Sequence, residues 1–377
     1  MTVRHVFSRS AAHPTRRGTP DVRPTEKNPP NRFYVRHVEH DDGESPTVPV
    51  TLVDDASRTI VSSNDSPDIG FRYSVNPYRG CLHACAYCYA RPTHEHLGYG
   101  AGTDFDRVVV VKRAAPELLR EAFEKRTWTG ERVVFSGVTD PYQPVERELR
   151  LTRGCLEVCA LYKNPVGIIT KSPLVERDLD VLRELRERAD VRVTVSIPFA
   201  DPAVARALEP GVVSPGRRLR TIATLADAGI PVGMSVSPLV PGLGDAGLAE
   251  LLAAAGRAGA THTFAVMLRL PGAVREVFEE RLREALPLRA EKVLTRLREM
   301  HGERLYDPRF GHRQRGSGPY AEALLATFES AARRAGLTTR MEDEPASTFT
   351  RPLARDRGPQ LSLFGSSPPS GSPTRAR

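Results

Sequence analysis

No stretch of the 377 residues approaches the ~18 consecutive apolar residues that a membrane-spanning helix needs. The N-terminus is rich in Arg, Pro and Thr and lacks the apolar core of a secretion signal. Both absences point to a cytoplasmic protein. Cysteine is scarce at five residues, three of them on one short segment, so thiols are expected as ligands in a reducing compartment and disulfides are not expected. Acidic residues are fewer than basic ones, 46 against 54, and the net charge of +8 favours an acidic partner, with nucleic acid first among the candidates. Many arginines, as in Val181-Leu-Arg-Glu-Leu-Arg-Glu-Arg188, alternate with acids and read as a solvated helix face. No internal repeat of solenoid type is present.

What is present is an ordinary globular composition, 40% hydrophobic, sufficient for a core. Residues 1–31 read as a disordered basic arm and 32–70 as a lead-in, with 47–53 extended. From Phe71, short β-branched runs alternate with helical segments, the pattern of a parallel sheet wrapped by helices. Strands are predicted at 73–76, 132–136, 166–170, 191–196, 231–236 and 263–268. Helices are predicted at 116–125, 149–162, 174–188, 215–228 and 245–258. Asp106 to Lys112 reads as an extra strand or an extended connection. The fold class is therefore α/β, a partial (β/α)6 TIM-type barrel over 71–270. A helical C-terminal extension follows over 271–345, then a flexible tail over 346–377.

The most informative segment is Asn76-Pro-Tyr-Arg-Gly-Cys81-Leu-His-Ala-Cys85-Ala-Tyr-Cys88. Three thiolates on one loop suit three irons of a cubane cluster and leave the fourth iron open. No fourth cysteine follows until Cys155, which argues against a four-cysteine electron-transfer site. A zinc loop normally needs four closed ligands, and His83, lying between two of the cysteines, is poorly placed to complete one. Cys155 and Cys159, spaced i, i+4, read as core. His94 and His96 read as capping or hydrogen-bonding residues.

Catalytic residues of β/α barrels lie at the carboxyl ends of the strands. The predicted strands end in Thr139 and Asp140, in Thr170-Lys171-Ser172, in Ser196, and in Ser235 and Ser237. Such a ring suits a zwitterionic ligand with a ribose. The alternative for Asp140 and Lys171 is a buried ion pair that braces adjacent strands. Glu146 reads as a helix-terminal carboxylate or a ligand.

The C-x3-C-x2-C spacing with Tyr87 before the third cysteine resembles the radical S-adenosylmethionine (SAM) superfamily. Asn64-Asp-Ser-Pro-Asp-Ile-Gly70, Ala90-Arg-Pro-Thr-His94, Thr139-Asp-Pro-Tyr-Gln-Pro144 and Arg309-Phe-Gly311 extend the likeness. They are similar to the bacterial branch related to spore photoproduct lyase, called DNA-repair-photolyase-like. The resemblance implies a 4Fe-4S cluster on Cys81, Cys85 and Cys88, and SAM as the second cofactor. It also implies an external electron donor and a 5'-deoxyadenosyl radical in a lyase-like reaction on nucleic acid. RNA or a protein side chain is the alternative substrate, and a non-catalytic nucleic-acid-binding module with a structural metal is the alternative of another class. By analogy Thr139 and Asp140 take the methionine ammonium, Lys171 its carboxylate, Ser196 the ribose and Tyr87 the adenine. One departure stands out, because the thiol that returns a hydrogen atom in those lyases is replaced here by Gly137.

In the tail, Gln360-Leu-Ser-Leu-Phe364 sits between polar, Pro-rich flanks. It is similar to peptides that dock on the DNA sliding clamp, with Gln360, Leu361, Leu363 and Phe364 as contacts. The alternative is that these side chains fold back on the barrel.

Overall fold

The computed structural model describes residues 50–339 and 346–352. Residues 1–49, 340–345 and 353–377 lie outside it, and with them the basic arm and the Gln360–Phe364 peptide. Ten strands occur among the described residues: β1 (Thr51–Asp54), β2 (Val61–Ser63), β3 (Tyr73–Val75), β4 (Tyr78–Arg79), β5 (Val108–Val111), β6 (Val133–Phe135), β7 (Val166–Thr170), β8 (Val191–Ser196), β9 (Val232–Leu239) and β10 (His262–Met267).

Six of them, β3, β6, β7, β8, β9 and β10, lie side by side in chain order and pair in parallel. β2 adds antiparallel to β3. Helices connect the strands from β6 onward, which makes this the partial (β/α)6 barrel with a helical C-terminal extension that the alternating pattern predicts. The 106–112 stretch lies outside the barrel wall: β5 joins a small sheet with β1 and β4. No described helix is long and apolar enough to cross a membrane.

Side-chain alternation along the strands decides which face is oily. Val133, Phe135, Val166, Ile168, Val191, Val193, Val195, Val232 and Met234 belong to the main core, with Leu119, Leu156, Leu182, Ile222 and Leu252 from the helices. Burying each such side chain stabilises the fold by about 1.5–3 kcal/mol. The intervening residues, Gly167, Lys171, Thr194, Ser196, Ser235 and Ser237, therefore face the barrel interior. That face is mostly small or polar.

Helix boundaries follow local chemistry. Ser172, Asp201 and Ser214 each accept a hydrogen bond from the backbone of the turn they begin, and each precedes a proline at the first helical position. The helix Pro202–Leu208 was not predicted. The predicted helix 149–162 is two helices, Glu146–Leu149 and Leu151–Leu161, broken at Arg150 with φ +52°. Glu146 folds onto the second, accepting the N–H groups of Thr152 (3.0 Å) and Arg153 (3.2 Å). Within the helical extension, Val274–Ala285 and Pro287–Met300 are separate helices, because Pro287 has no N–H to continue the ladder.

Two segments cover the open parts of the barrel. Residues 309–316 connect the sheet's edge strand β10 to the β2–β3 connection: Gln314 accepts the Met267 N–H (2.9 Å), while Arg313 (2.6 Å) and the Gly311 N–H (2.8 Å) reach Asp68. Residues 346–352, which open the stretch read as a flexible tail, are seated at the amino ends of the strands. There Phe349 packs on Phe123 and Tyr162, an aromatic pocket that no local pattern announces.

Candidate active site

The cysteine loop follows β4 and is held from several sides. Ala84 donates to Cys81 O and Cys88 to Cys85 O, forming consecutive turns, while Cys81 donates to Phe105 O and Ala86 to Leu208 O. Gln143 brackets the loop, accepting the Leu82 N–H and donating to Gly80 O, both at 3.0 Å. Arg91, fully buried, donates to the carbonyls of Cys85, Ala101 and Gly102 and pairs with Asp106 at 2.8 Å. The backbone of Gly211 comes so close that a Cβ there would stand 2.2 Å from Leu82 O, so this approach requires glycine.

All three cysteines are free thiols; Cys81 and Cys85 are buried and Cys88 half-buried. Cys81 and Cys88 share one apolar cluster with Phe105. Burial pushes the Cys85 thiol well above its usual range and the Cys88 thiol up to about 11, so each keeps its proton unless a cation takes its place. Among the described residues no three His, Cys, Asp or Glu donors are gathered around the point a single metal ion would occupy. Three thiols on one loop are the donors that a cubane with one open iron takes. The donor set fits the cluster.

Facing the loop at the carboxyl ends of the strands is a polar network. Lys171 Nζ donates to Ser196 Oγ (2.8 Å) and Ser237 O (3.5 Å) and lies 3.9 Å from Glu209 Oε1. It also stands 5.9 Å from the centre of the Tyr87 ring. Tyr87 donates its hydroxyl to Glu209. Arg218 binds the other oxygen of Glu209 at 2.6 Å and the carbonyl of Ser196 at 2.9 Å. Burial opposes a charge on Glu209, yet Arg218 and Lys171 outweigh it and hold the carboxyl below its usual range.

Of the residues singled out in the sequence, Tyr87, Lys171 and Ser196 thus meet. Asp140 stands beside them in a different role from an ion-pair partner of Lys171. Its oxygens accept the hydroxyl of Thr170 (2.7 Å) and the backbone N–H groups of Lys171 (2.7 Å) and Tyr142 (2.9 Å). It also faces His83 Nδ1 at 3.4 Å. Burial works against charge on His83, but Asp140 and Cys81 outweigh it and raise the imidazole to about 10. His83 is therefore tied to Asp140. Thr139 donates its hydroxyl to Tyr78 O (3.0 Å). Glu146 caps a helix, binding Arg177 at 2.8 Å as well. Cys155 and Cys159 lie fully buried in the main core.

Nothing in the sequence pattern singles out Glu209 or Arg218, and Arg91 stands there only as one residue of Ala90-Arg-Pro-Thr-His94. A carboxylate and a guanidinium nine positions apart, one before a helix and one inside it, match no helical or strand spacing, so only the three-dimensional structure pairs them. Gly137 has φ +98°, where any other residue is strained, although a Cβ there would meet only Ser74 atoms at 3.7 Å. The missing thiol is thus matched by a backbone shaped for glycine.

Comparison with known proteins bears on the family and the fold. The Radical SAM superfamily model matches residues 75–255, from the end of β3 into the helix that precedes β10. An uncharacterized protein of Mycobacterium tuberculosis is 39% identical over 240 residues, which are 63% of this chain and 69% of that protein. One of Methanocaldococcus jannaschii is 32% identical over 176 residues, 47% of this chain and 63% of its own length. Among solved structures, spore photoproduct lyase complexed with dinucleoside spore photoproduct superposes with a TM-score of 0.55 at 21% identity, covering 76% of this chain and 81% of that one. A variant of that lyase with bound AdoMet and the same dinucleoside gives 0.54 at 20% identity, covering 76% and 81%. The fold is shared with that lyase, the family implies a 4Fe-4S cluster and SAM, and with the matching barrel and three-thiol loop the chain belongs to the radical SAM superfamily.

Proposed function

We propose that this protein reductively cleaves S-adenosylmethionine and directs the resulting radical at nucleic acid. The observation that carries the reading is the three-thiol loop held against a polar network at the carboxyl ends of the barrel strands. A 4Fe-4S cluster with SAM supplies one-electron cleavage of the sulfonium, giving methionine and a 5'-deoxyadenosyl radical, with the electron drawn from an external donor.

Cys81, Cys85 and Cys88 would hold the cluster. Lys171 presents an ammonium, and Ser196 a hydroxyl, to the barrel interior, suited to a carboxylate and a ribose. Thr139 donates its proton to Tyr78 O and so keeps oxygen lone pairs that can accept from an ammonium, beside the Asp140 carboxylate. The ring of Tyr87 offers an apolar face to adenine. Its hydroxyl is fixed on Glu209, so the ring cannot swing away.

Nucleic acid as substrate is supported by the charge of +8 and by the shared fold with a lyase solved with a dinucleoside lesion. With Gly137 in place of the thiol, repair of the spore lesion through a cysteine is not part of the proposal, since function belongs to the site and not to the scaffold. In the same reading Gln360, Leu361, Leu363 and Phe364 would recruit the enzyme to the sliding clamp.

The test is anaerobic reconstitution with iron and sulfide, then incubation with SAM and dithionite. Cluster formation and release of 5'-deoxyadenosine are expected. Zinc without sulfide in the purified protein, and no deoxyadenosine after reconstitution, would overturn the reading.

A further inference from the structure

We infer that the rim formed by Tyr89, Arg269, Arg313 and Phe310 is a stacking platform for single-stranded nucleic acid, which places a flanking base beside the cysteine loop. The inference rests on the proposed nucleic-acid substrate and names the surface that receives it.

Tyr89 and Phe310 are unusual among the large apolar side chains in being 47% and 58% exposed. Neither is loose. Tyr89 directly follows Cys88 and donates its hydroxyl to Gly137 O at 2.9 Å, which ties the ring to the end of β6. Phe310 sits in the bridging loop, flanked by Gly311 and Arg313, both of which are bound to Asp68. Each ring carries a guanidinium: Arg269 lies 5.5 Å from the centre of Tyr89 and Arg313 lies 4.3 Å from that of Phe310. Gln314 of the same loop accepts the Met267 N–H at 2.9 Å, two residues before Arg269, which brings the two aromatic–guanidinium pairs to the same end of β10.

The physical consequence is a strip of pre-ordered planar surfaces with cations beside them. Aromatic rings held rigid and half in water offer stacking area at little entropic cost, and stacking accepts any base because every base has a π face. Paired bases in a duplex have their faces covered, so the strip favours unpaired strands or a base drawn out of a duplex. The exposed His312 and Arg315 lie on the same loop as Phe310, where phosphates flanking a stacked base would lie, while Arg309 is held by Asp307. The Arg269 Nε–H is buried with no acceptor among the described residues, a donor that the strip's own side chains leave unsatisfied.

The test measures binding of a fluorescent thymidine oligonucleotide to the full-length, cluster-loaded protein by anisotropy under anaerobic conditions. A uridine strand and the thymidine strand's duplex serve as parallel arms. Phe310→Ala should weaken single-strand binding about tenfold, whereas Phe310→Tyr should retain it. Arg315→Gln should lower the slope of log affinity against log salt by ~0.7, the value for one phosphate contact on a single strand. The control is Arg183→Gln with Arg186→Gln on the exposed face of the helix Leu179–Arg188, which removes two charges far from the rim. An equal loss in that control, or no loss in Phe310→Ala with thermal stability unchanged, would overturn the platform while leaving nucleic acid as the substrate. Absence of binding by the unmodified protein in every arm would overturn the substrate reading itself.

Discussion

At the carboxyl ends of the strands, Glu209 gathers Tyr87, Arg218 and Lys171, and neither the Glu209 nor the Arg218 side chain is exposed. At the amino ends, Asp190 gathers Arg132 and Arg192 with 22% of its side chain open to water. The two clusters are similar in composition and differ in solvent. A carboxylate within reach of water loses little when a partner is removed, because water replaces it. A dry carboxylate has no such replacement, and its desolvation is offset only while every partner stays in place. The dry cluster ties together the cysteine loop, β7, β8 and the helix Pro215–Asp227, the four parts that must keep register around a cofactor. The wet cluster closes the far end of the barrel.

The largest effect expected at the carboxyl end concerns the cysteines. Replacing Cys81, Cys85 or Cys88 by Ala should abolish iron loading, measured as iron and sulfide per chain after anaerobic reconstitution, while circular dichroism keeps the barrel signature. A variant that loads fully would remove its cysteine from the site.

Next in size is the direct contrast between the two carboxylates. Glu209→Ala leaves Arg218 buried and uncompensated and should cost about 3–5 kcal/mol in urea unfolding. Asp190→Asn should cost about 1 kcal/mol or less. Equal losses would erase the distinction between dry and wet ends.

Acid should reveal a further difference. His94 is buried and bonds Val108 O at 2.9 Å, and burial lowers its imidazole to about 4. As pH falls below 6.5 the unfolded chain takes up this proton first, so the contribution of His94 is complete above that pH and is lost progressively toward 4. It amounts to about 3 kcal/mol. Burial raises Asp106 to about 6, against the pull of Arg91, which acts in the opposite sense over much of the same window. Only the difference between wild type and His94→Gln isolates the histidine: the variant should lose less stability than wild type between pH 7 and pH 4.5. Parallel losses would assign the acid sensitivity elsewhere.

Much of this molecule is legible in its sequence, for identifiable reasons. Val166–Thr170 and Val191–Ser196 were predicted to the residue because β-branched runs bounded by turn chemistry leave little freedom. The cysteine loop announces itself because metal ligation demands fixed spacing. Glu209 and Arg218 were not legible, since long-range pairing leaves no periodic trace. Nor was the role of Asp140: a carboxylate at a strand end looks alike whether it awaits a ligand or, as here, already receives two backbone N–H groups and a hydroxyl.

That dual role shapes the next prediction. Lys171→Ala should weaken SAM binding by about tenfold, the loss of one charge-assisted hydrogen bond worth ~1.5–3 kcal/mol, with cluster loading intact. Asp140→Ala should weaken SAM binding and lower the unfolding midpoint as well, because it also releases Thr170, His83 and two backbone amides. Calorimetry with SAM and urea titration separate the two effects. Unchanged SAM affinity in both variants would leave these residues as braces of the barrel wall.

The smallest expected effect tests the amino end alone. Phe349 lies 5.8 Å from Phe123 and stacks on Tyr162 at 6.1 Å, with an interplanar angle of 17°. The segment around it is pinned by Ser347 on Gly130 O (2.6 Å), Thr348 on Lys163 O (2.8 Å) and Arg351 on Lys125 O (2.7 Å). These bonds are near the surface and individually weak, so the ring supplies most of the docking energy. Phe349→Ala should cost about 1–2 kcal/mol, below the full 3–5 kcal/mol of a deeply buried ring, because Phe349 is only half-buried. The released strap should then be cut by protease at a dilution that leaves wild type intact. Because the strap touches none of the carboxyl-end network, cluster content and SAM affinity should not move. A loss of either in Phe349→Ala would mean that the two ends communicate through the barrel, and that solvent access alone does not separate them.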